Sequence, residues 1–309
     1  MKPTILLLGK NGQVGAELLS SLPLIGEVTA LDREKLNLCN QDDIRNAIGR
    51  VRPRIIVNAA AYTAVDLAEK EEAQARSVNA EAPRVMAEEA KKIGALLVHY
   101  STDYVFDGAK NTSYTEDDPT NPLSAYGRTK LEGEAAIRES GAAHLIFRTE
   151  WVYGRRGRNF LLTILRLASE REELRIVRDQ IGAPTWCREI ARGTASVIAR
   201  AAAAGEDFLL SHRGIFHMTA GGTTSWHGFA EAIVAEARTV REQAPWMTKA
   251  TGGHAIVTQR VAPITTQEYP TPARRPANSV LANERLFSEF GVRLPDWRVQ
   301  LKEAFAESE

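Results

Sequence analysis

The chain has 309 residues, 39 Lys+Arg against 39 Asp+Glu and 44% hydrophobic residues, enough for a core of one or two domains. The balanced charge leaves no global positive field for nucleic acid or an anionic membrane. Cys39 and Cys187 stand alone, without Cys/His spacing for a disulfide framework or a zinc site, and no apolar run approaches the roughly 18 residues of a membrane span. With no basic leader and cleavage site before the first strand, the expectation is a soluble protein of the reducing cytoplasm.

Thr4-Ile5-Leu6-Leu7-Leu8 reads as a strand buried on both faces. It enters Gly9-Lys10-Asn11-Gly12-Gln13-Val14-Gly15 and then an amphipathic helix to about Leu22. Glycines in a strand–turn–helix context let backbone N–H groups approach a pyrophosphate at the helix N-terminus, which makes Gly9, Gly12 and Gly15 candidates for dinucleotide binding. A second strand over 28–31 ends in Asp32, close to the expected interval of roughly 20 residues for a carboxylate on the adenosine ribose. Arg33 follows and suits a 2′-phosphate, so NADH and NADPH both stay open. The competing reading is a flavodoxin-like sheet with a Gly-rich turn.

A helix over 42–51 and a strand over 54–58 come next, the strand ending in Asn58-Ala59-Ala60-Ala61-Tyr62-Thr63. Small residues there keep the crevice of a parallel sheet open. The spacing predicts a long helix over 71–93, interrupted or kinked at Pro83, and a strand over 95–100 that delivers Ser101-Thr102-Asp103-Tyr104. Residues 109–123 read as a surface loop before a helix that carries Tyr126 and Lys130. A strand over 144–148 runs into Thr149-Glu150-Trp151-Val152-Tyr153-Gly154. Alternation of this kind predicts an α/β fold with a doubly wound parallel sheet over 1–150. Segments near 171–218 are expected to return to it, and 151–309 to form mainly a smaller, interleaved substrate-binding domain. Helices are expected over 159–168, 188–203, 225–238, 283–290 and 298–305, and strands over 174–177 and 214–218. The stretch 241–280 reads as irregular. The basic cluster Arg155-Arg156-Gly157-Arg158 is either a solvated loop or a substrate contact.

Tyr126 and Lys130 are spaced i, i+4 and so share one face of their helix. No other tyrosine in the chain has lysine at that spacing. A nearby cation favours a phenolate, and the expectation is that Lys130 draws the Tyr126 phenol down from its ordinary value near ~10 towards the range of efficient proton transfer. Such a pair protonates a carbonyl oxygen while hydride reaches the carbon.

These motifs, with Ala64-Val65-Asp66, Gly182-Ala183-Pro184-Thr185, Arg275-Pro276 and Leu294-Pro295-Asp296-Trp297, run across nearly the whole chain. Together they resemble the extended short-chain dehydrogenases/reductases and, within them, the dTDP-4-dehydrorhamnose reductase family. The resemblance implies a Rossmann domain and C4-keto reduction of a dTDP-sugar by NADPH or NADH, with Tyr126 as proton donor, Lys130 as its modulator and ribose ligand, and Thr102 bonding the same oxygen. It places Gly12, Gln13, Val14, Asp32, Ala61, Tyr62 and Thr63 on the cofactor and Thr102, Asp103 and Trp151 on the sugar nucleotide. Asn37 and Leu38 stand where the family has Asp and an apolar residue near the adenine. Some members hold Mg²⁺ at a homodimer interface, for which Glu17, Glu189 and Asp296 are the matching carboxylates; ordinary helix-end contacts are the other reading of those three. Two further readings stay open: a nucleotide-sugar epimerase or dehydratase, and a regulatory subunit similar to the methionine adenosyltransferase β-subunit.

Overall fold

Apolar strands alternating with amphipathic helices set the order of elements, which the computed structural model describes over residues 2–204, 212–240 and 242–306. The first half comprises β1 (Thr4–Leu8), α1 (Gln13–Ser21), β2 (Glu27–Leu31), α2 (Gln41–Val51), β3 (Ile55–Asn58), α3 (Val65–Ala68), α4 (Glu72–Arg76), α5 (Ala82–Ile93), β4 (Leu96–Thr102), α6 (Ala125–Ser140) and β5 (His144–Thr149). The second comprises β6 (Val152–Tyr153), α7 (Phe160–Glu170), β7 (Glu173–Val177), β8 (Ile181–Gly182), β9 (Thr185–Trp186), α8 (Cys187–Ala204), β10 (Gly214–His217), β11 (Thr224–Ser225), α9 (Trp226–Thr239), α10 (Pro245–Thr251), β12 (Arg260–Ile264), α11 (Glu284–Phe290) and α12 (Trp297–Ala306).

Six strands form the central sheet in the order β10-β5-β4-β3-β1-β2, every pairing parallel. Ile5, Leu7, Val57 and Val98 pack on one face with Leu18 of α1 and Ile190 of α8. Leu6, Leu8, Ile56 and Leu97 pack on the other with Ile44 and Ile48 of α2 and Val85 and Met86 of α5. Helices on both faces are the reason β1 is an unbroken apolar run. Each such side chain contributes about 1.5–3 kcal/mol relative to exposure. Because β1 lies between β2 and β3, the loops leaving β1 and β3 part, and a crevice opens at the carboxyl ends of the strands.

The long helix expected over 71–93 is divided into α4, a π-turn over Ser77–Glu81, and α5. Pro83 lies in the first turn of α5, where its missing N–H removes a helical bond and the backbone before it widens.

The second half builds a separate apolar cluster around Trp186, Phe229 and Trp297. Within 171–218, β7 stands outside the central sheet, paired in parallel with β12. In contrast, α8 covers that sheet through Val197 and Ile198, and β10 extends it beside β5. The stretch 241–280, expected to be irregular, holds α10, β12 and a 3-10 turn over Thr266–Glu268. Pro263 obscures β12 in the sequence; it is tolerated because β12 has β7 as its only strand neighbour among the described residues. Among the described residues no helix is long and apolar enough to cross a membrane.

Candidate active site

The crevice between the ends of β1 and β3 encloses a cavity of about 580 Å³. Gly9 turns out of β1 with φ +82°, and a Cβ there would lie 2.7 Å from the Ala60 backbone nitrogen; a Cβ on Gly15 would lie 2.1 Å from the Gly9 carbonyl. Glycine alone permits these approaches. Gly12 caps α1 without a side-chain bond, leaving first-turn N–H groups open to an anion. Gln13 and Val14 line the cavity, and Gln13 Oε1 also accepts from Asn159 Nδ2 at 2.7 Å, tying α1 to the start of α7.

Asp32 lies on the cavity wall and receives Lys10 Nζ at 3.1 Å, Asn11 Nδ2 at 3.3 Å and the Lys35 N–H at 3.2 Å. These donors, Lys10 foremost, hold its carboxyl below the ordinary range. Arg33, Asn37 and Leu38 adjoin it, while Ala61, Tyr62 and Thr63 form part of the same lining. The basic cluster divides: Arg158 lines the cavity, whereas Arg155 donates to the Ala304 carbonyl at 2.9 Å and lies over Trp186.

Asn79, on the π-turn, fastens the loop after β3. Its Oδ1 accepts from the Tyr62 N–H at 2.9 Å, and its Nδ2 donates to the Tyr62 carbonyl at 3.1 Å and to Thr129 Oγ1 of α6 at 3.2 Å. Nothing in the periodicity singled out this residue; the Pro83 that displaces the helix register before it was the available signal.

β4 and β5 end in register, with Thr102 beside Thr149. Thr102 Oγ1 accepts from the Tyr104 N–H at 3.2 Å and donates to Asp103 Oδ1 at 3.0 Å, while Asp103 Oδ2 accepts from Ser279 Oγ at 2.6 Å. Ser124 caps α6 by accepting from the Gly127 N–H at 3.1 Å, which puts Tyr126 in the first turn and Lys130 one turn later. A Cβ on Gly127 would sit 2.2 Å from the Tyr104 carbonyl, so α6 packs flush against the turn after Thr102. The Thr102 hydroxyl lies beside the Tyr126 phenol. A buried bidentate pair, Arg148 to Glu134 at 2.9 and 2.6 Å, ties α6 to β5.

Lys130 Nζ donates to the Tyr100 carbonyl at 2.6 Å and lies 3.0 Å from His99 Nε2, and His99 Nδ1 lies 3.0 Å from Asn58 Nδ2. Burial draws Lys130 down to about 8, partly opposed by Glu134, and pulls His99 well below its ordinary value. The expectation that Lys130 lowers the Tyr126 phenol is corrected by this geometry. Burial, and then the Asp103 carboxylate, push that phenol above its ordinary range, with the Thr102 hydroxyl opposing. The Lys130 nitrogen is directed to His99 and Tyr100 instead.

Trp151 follows β5 with φ 45°, a conformation uncommon for a bulky residue. Its ring stacks on Trp226 at 3.5 Å between centroids, and Gly182 lies so close that a Cβ would be 2.6 Å from the indole. Trp226 in turn lines a second cavity of about 640 Å³ with Phe160, Gln180, Tyr269, Asp66 and Arg275. Arg275 reaches Asp66 at 2.8 and 3.0 Å. Trp226, Ser279 and this cavity were not singled out from the sequence, because they reach the site from distant segments.

The three carboxylates considered for Mg²⁺ do not gather within the chain. Glu17 receives Arg188 Nε at 2.8 Å, Glu189 receives Arg192 at 2.6 Å, and Asp296 accepts the Arg298 N–H at 2.8 Å. Among the described residues no group of three potential metal ligands occurs, and the neighbouring cations and N–H group satisfy these oxygens.

A family model described as the RmlD substrate binding domain matches residues 1–309. A curated dTDP-4-dehydrorhamnose reductase from Burkholderia thailandensis is 52% identical over 297 residues, covering 95% of each chain. Among solved structures, a dTDP-4-dehydrorhamnose reductase from Clostridium acetobutylicum superposes with a TM-score of 0.85 at 36% identity, covering 97% of this chain and 98% of that one. Another, from Bacillus anthracis in complex with NADP, gives a TM-score of 0.84 at 32% identity and covers 99% of both. With the glycine cradle, the Thr102–Tyr126–Lys130 arrangement and full-length similarity in agreement, the chain belongs to the dTDP-4-dehydrorhamnose reductase family.

Proposed function

We propose that the protein reduces the C4 keto group of dTDP-4-dehydro-6-deoxy-L-mannose to give dTDP-L-rhamnose, using NADPH or NADH. The observation that carries this reading is that Tyr126 and Lys130, one turn apart on α6, both line the glycine-cradled cavity, with Thr102 beside the Tyr126 phenol. Residues 1–150 with α8 and β10 serve the dinucleotide, and most of the remainder serves the sugar nucleotide.

The nicotinamide, when bound, supplies hydride to C4. Gly9, Gly12 and Gly15 fit its pyrophosphate, because Cβ atoms at Gly9 and Gly15 would block the turn and the α1 N–H groups are uncapped. Asp32 suits the ribose hydroxyls, and Lys10 and Arg33 beside it suit a 2′-phosphate; both cofactors are therefore expected to work. Tyr126 gives its phenolic proton to the C4 oxygen. A phenol held above its ordinary range keeps that proton until hydride transfer creates alkoxide character, which suits the reducing direction. Thr102 stabilises the same oxygen through its hydroxyl. Lys130, which lines the same cavity, would hold the nicotinamide ribose. Trp151 and Trp226 offer an aromatic wall to the sugar, with the second cavity beyond them for the nucleotide.

The test is nicotinamide absorbance on adding the 4-keto sugar nucleotide, generated in place by the enzymes upstream. Stoichiometric oxidation with dTDP-L-rhamnose as product is expected with either cofactor. Bound cofactor with no net oxidation would replace this reading with an epimerase or a binding role.

A further inference from the structure

Glu150 directly follows β5, one residue past Thr149, and Asp103 directly follows β4's Thr102. Since Thr102 and Thr149 are register partners on neighbouring parallel strands, Asp103 and Glu150 occupy equivalent strand-end positions, in strands whose axes lie about 4.8 Å apart. They are 2% and 1% exposed. Asp103 fills both oxygens with donors, from Thr102 and Ser279. Both Glu150 oxygens are buried without a side-chain donor; the backbone amides of Ala183 and Leu281 approach the carboxyl, but neither closes a well-formed hydrogen bond. The glycine at 182 is pressed against it: a Cβ would lie 2.7 Å from Glu150 Oε2. Ser279 is held over the pair by its own N–H on the Ile181 carbonyl, 2.8 Å away.

A buried carboxylate with only two imperfect backbone contacts and no cation is costly, and two neighbouring carboxyls cannot both ionise cheaply. We propose that Glu150 is a positioning residue for this site: a buried carboxylic acid that keeps its proton beside Asp103, so that Asp103 carries the single charge orienting the Thr102 hydroxyl. The charged and titratable groups around the pair support that division. Tyr126 and Tyr104 face Asp103 as neutral phenols, Lys130 is turned to His99 and Tyr100, and Arg148 is occupied by Glu134. Burial, followed by the Asp103 charge, pushes Glu150 well above the carboxyl range, while burial moves Asp103 only to about 6.

The inference rests on the reductase reading for its consequence in turnover, but the proton on Glu150 can be tested without turnover. Glu150→Gln is neutral, as the protonated acid is, and the acid limb of kcat/KM should stay at the wild-type position. Glu150→Met is equally uncharged, and its limb should also stay at the wild-type position. A shift of the limb to lower pH in Glu150→Gln would show that a negative charge had been removed and would overturn the proposal. Thermal unfolding supplies the second readout. A carboxyl with a raised folded-state pKa makes the fold progressively less stable as pH rises above its unfolded value. The Tm of Glu150→Gln should therefore gain on wild type between pH 5 and pH 8. A Tm difference that is constant over that range, or that moves against the variant, refutes a protonated Glu150 even if no substrate is ever turned over.

Discussion

The two cavities, one lined by Tyr126 and the other by Trp226, are built by different means. The dinucleotide side is made of backbone: three glycines, an uncapped helix start and a sheet whose strands are fixed by neighbours close in sequence. The sugar side is made of side chains brought together over long separations, such as Trp151 on Trp226, Ser279 on Asp103 and Arg275 on Asp66. A backbone site tolerates exchange of most exposed side chains but no added Cβ, whereas a side-chain site can be reshaped one residue at a time.

The largest effect should come from the proposed proton donor, which lines the first cavity. Tyr126→Phe removes the proton donor while leaving the ring against Tyr104. Turnover should fall by at least ~10², with NADPH affinity close to wild type by fluorescence titration. Near-wild-type turnover in that variant would assign the proton to another group.

The difference in construction also explains what could be read from the sequence. The runs Thr4–Leu8 and Ile55–Asn58 and the glycine turn are local signals, and strand, helix and cofactor cradle followed from them. Tyr126 and Lys130 were legible because one helix carries both. The direction of the Tyr126 shift was not, because it depends on burial and on Asp103 across the strand end. Likewise β12 carries Pro263 and pairs with β7, whose register partners lie in a distant segment, so no local periodicity marks it. Glu150 was visible as a letter within Thr149-Glu150-Trp151, but its partner is set by strand register.

Asn79 and Trp226 allow the two constructions to be separated. Asn79→Ala removes three hydrogen bonds from the Tyr62 loop and its anchor on α6. A stability loss of about 1–3 kcal/mol and weaker cofactor binding are expected, with the KM for the sugar nucleotide little changed. Trp226→Ala should do the reverse: a rise of roughly tenfold in the KM for the sugar nucleotide and unchanged cofactor affinity, since an aromatic contact of this kind is worth about 1 kcal/mol or somewhat more. Chemical denaturation and paired titrations would check both. If either variant weakened both ligands equally, the two cavities would have to be treated as one unit.

The smallest expected effect concerns the ion pair that joins the regions. Asp66 belongs to α3, after the cofactor loop, and Arg275 to the C-terminal segment; both line the second cavity. The contact is bidentate, but the Asp66 side chain is 42% exposed, so solvent screens it. Asp66→Asn should cost no more than about 1 kcal/mol at pH 7. The Arg275 hydrogen bond lowers the Asp66 carboxyl, with burial opposing. For a group whose folded pKa is depressed, the stabilisation is present above the unfolded value and is lost as pH falls through the folded one. The wild-type advantage over Asp66→Asn should therefore disappear below about pH 4, measured as the difference in Tm across pH. A difference independent of pH would mean that the Asn side chain disturbs packing instead. A change in cofactor affinity at pH 7 without a matching change in stability would show that this pair transmits the state of one cavity to the other.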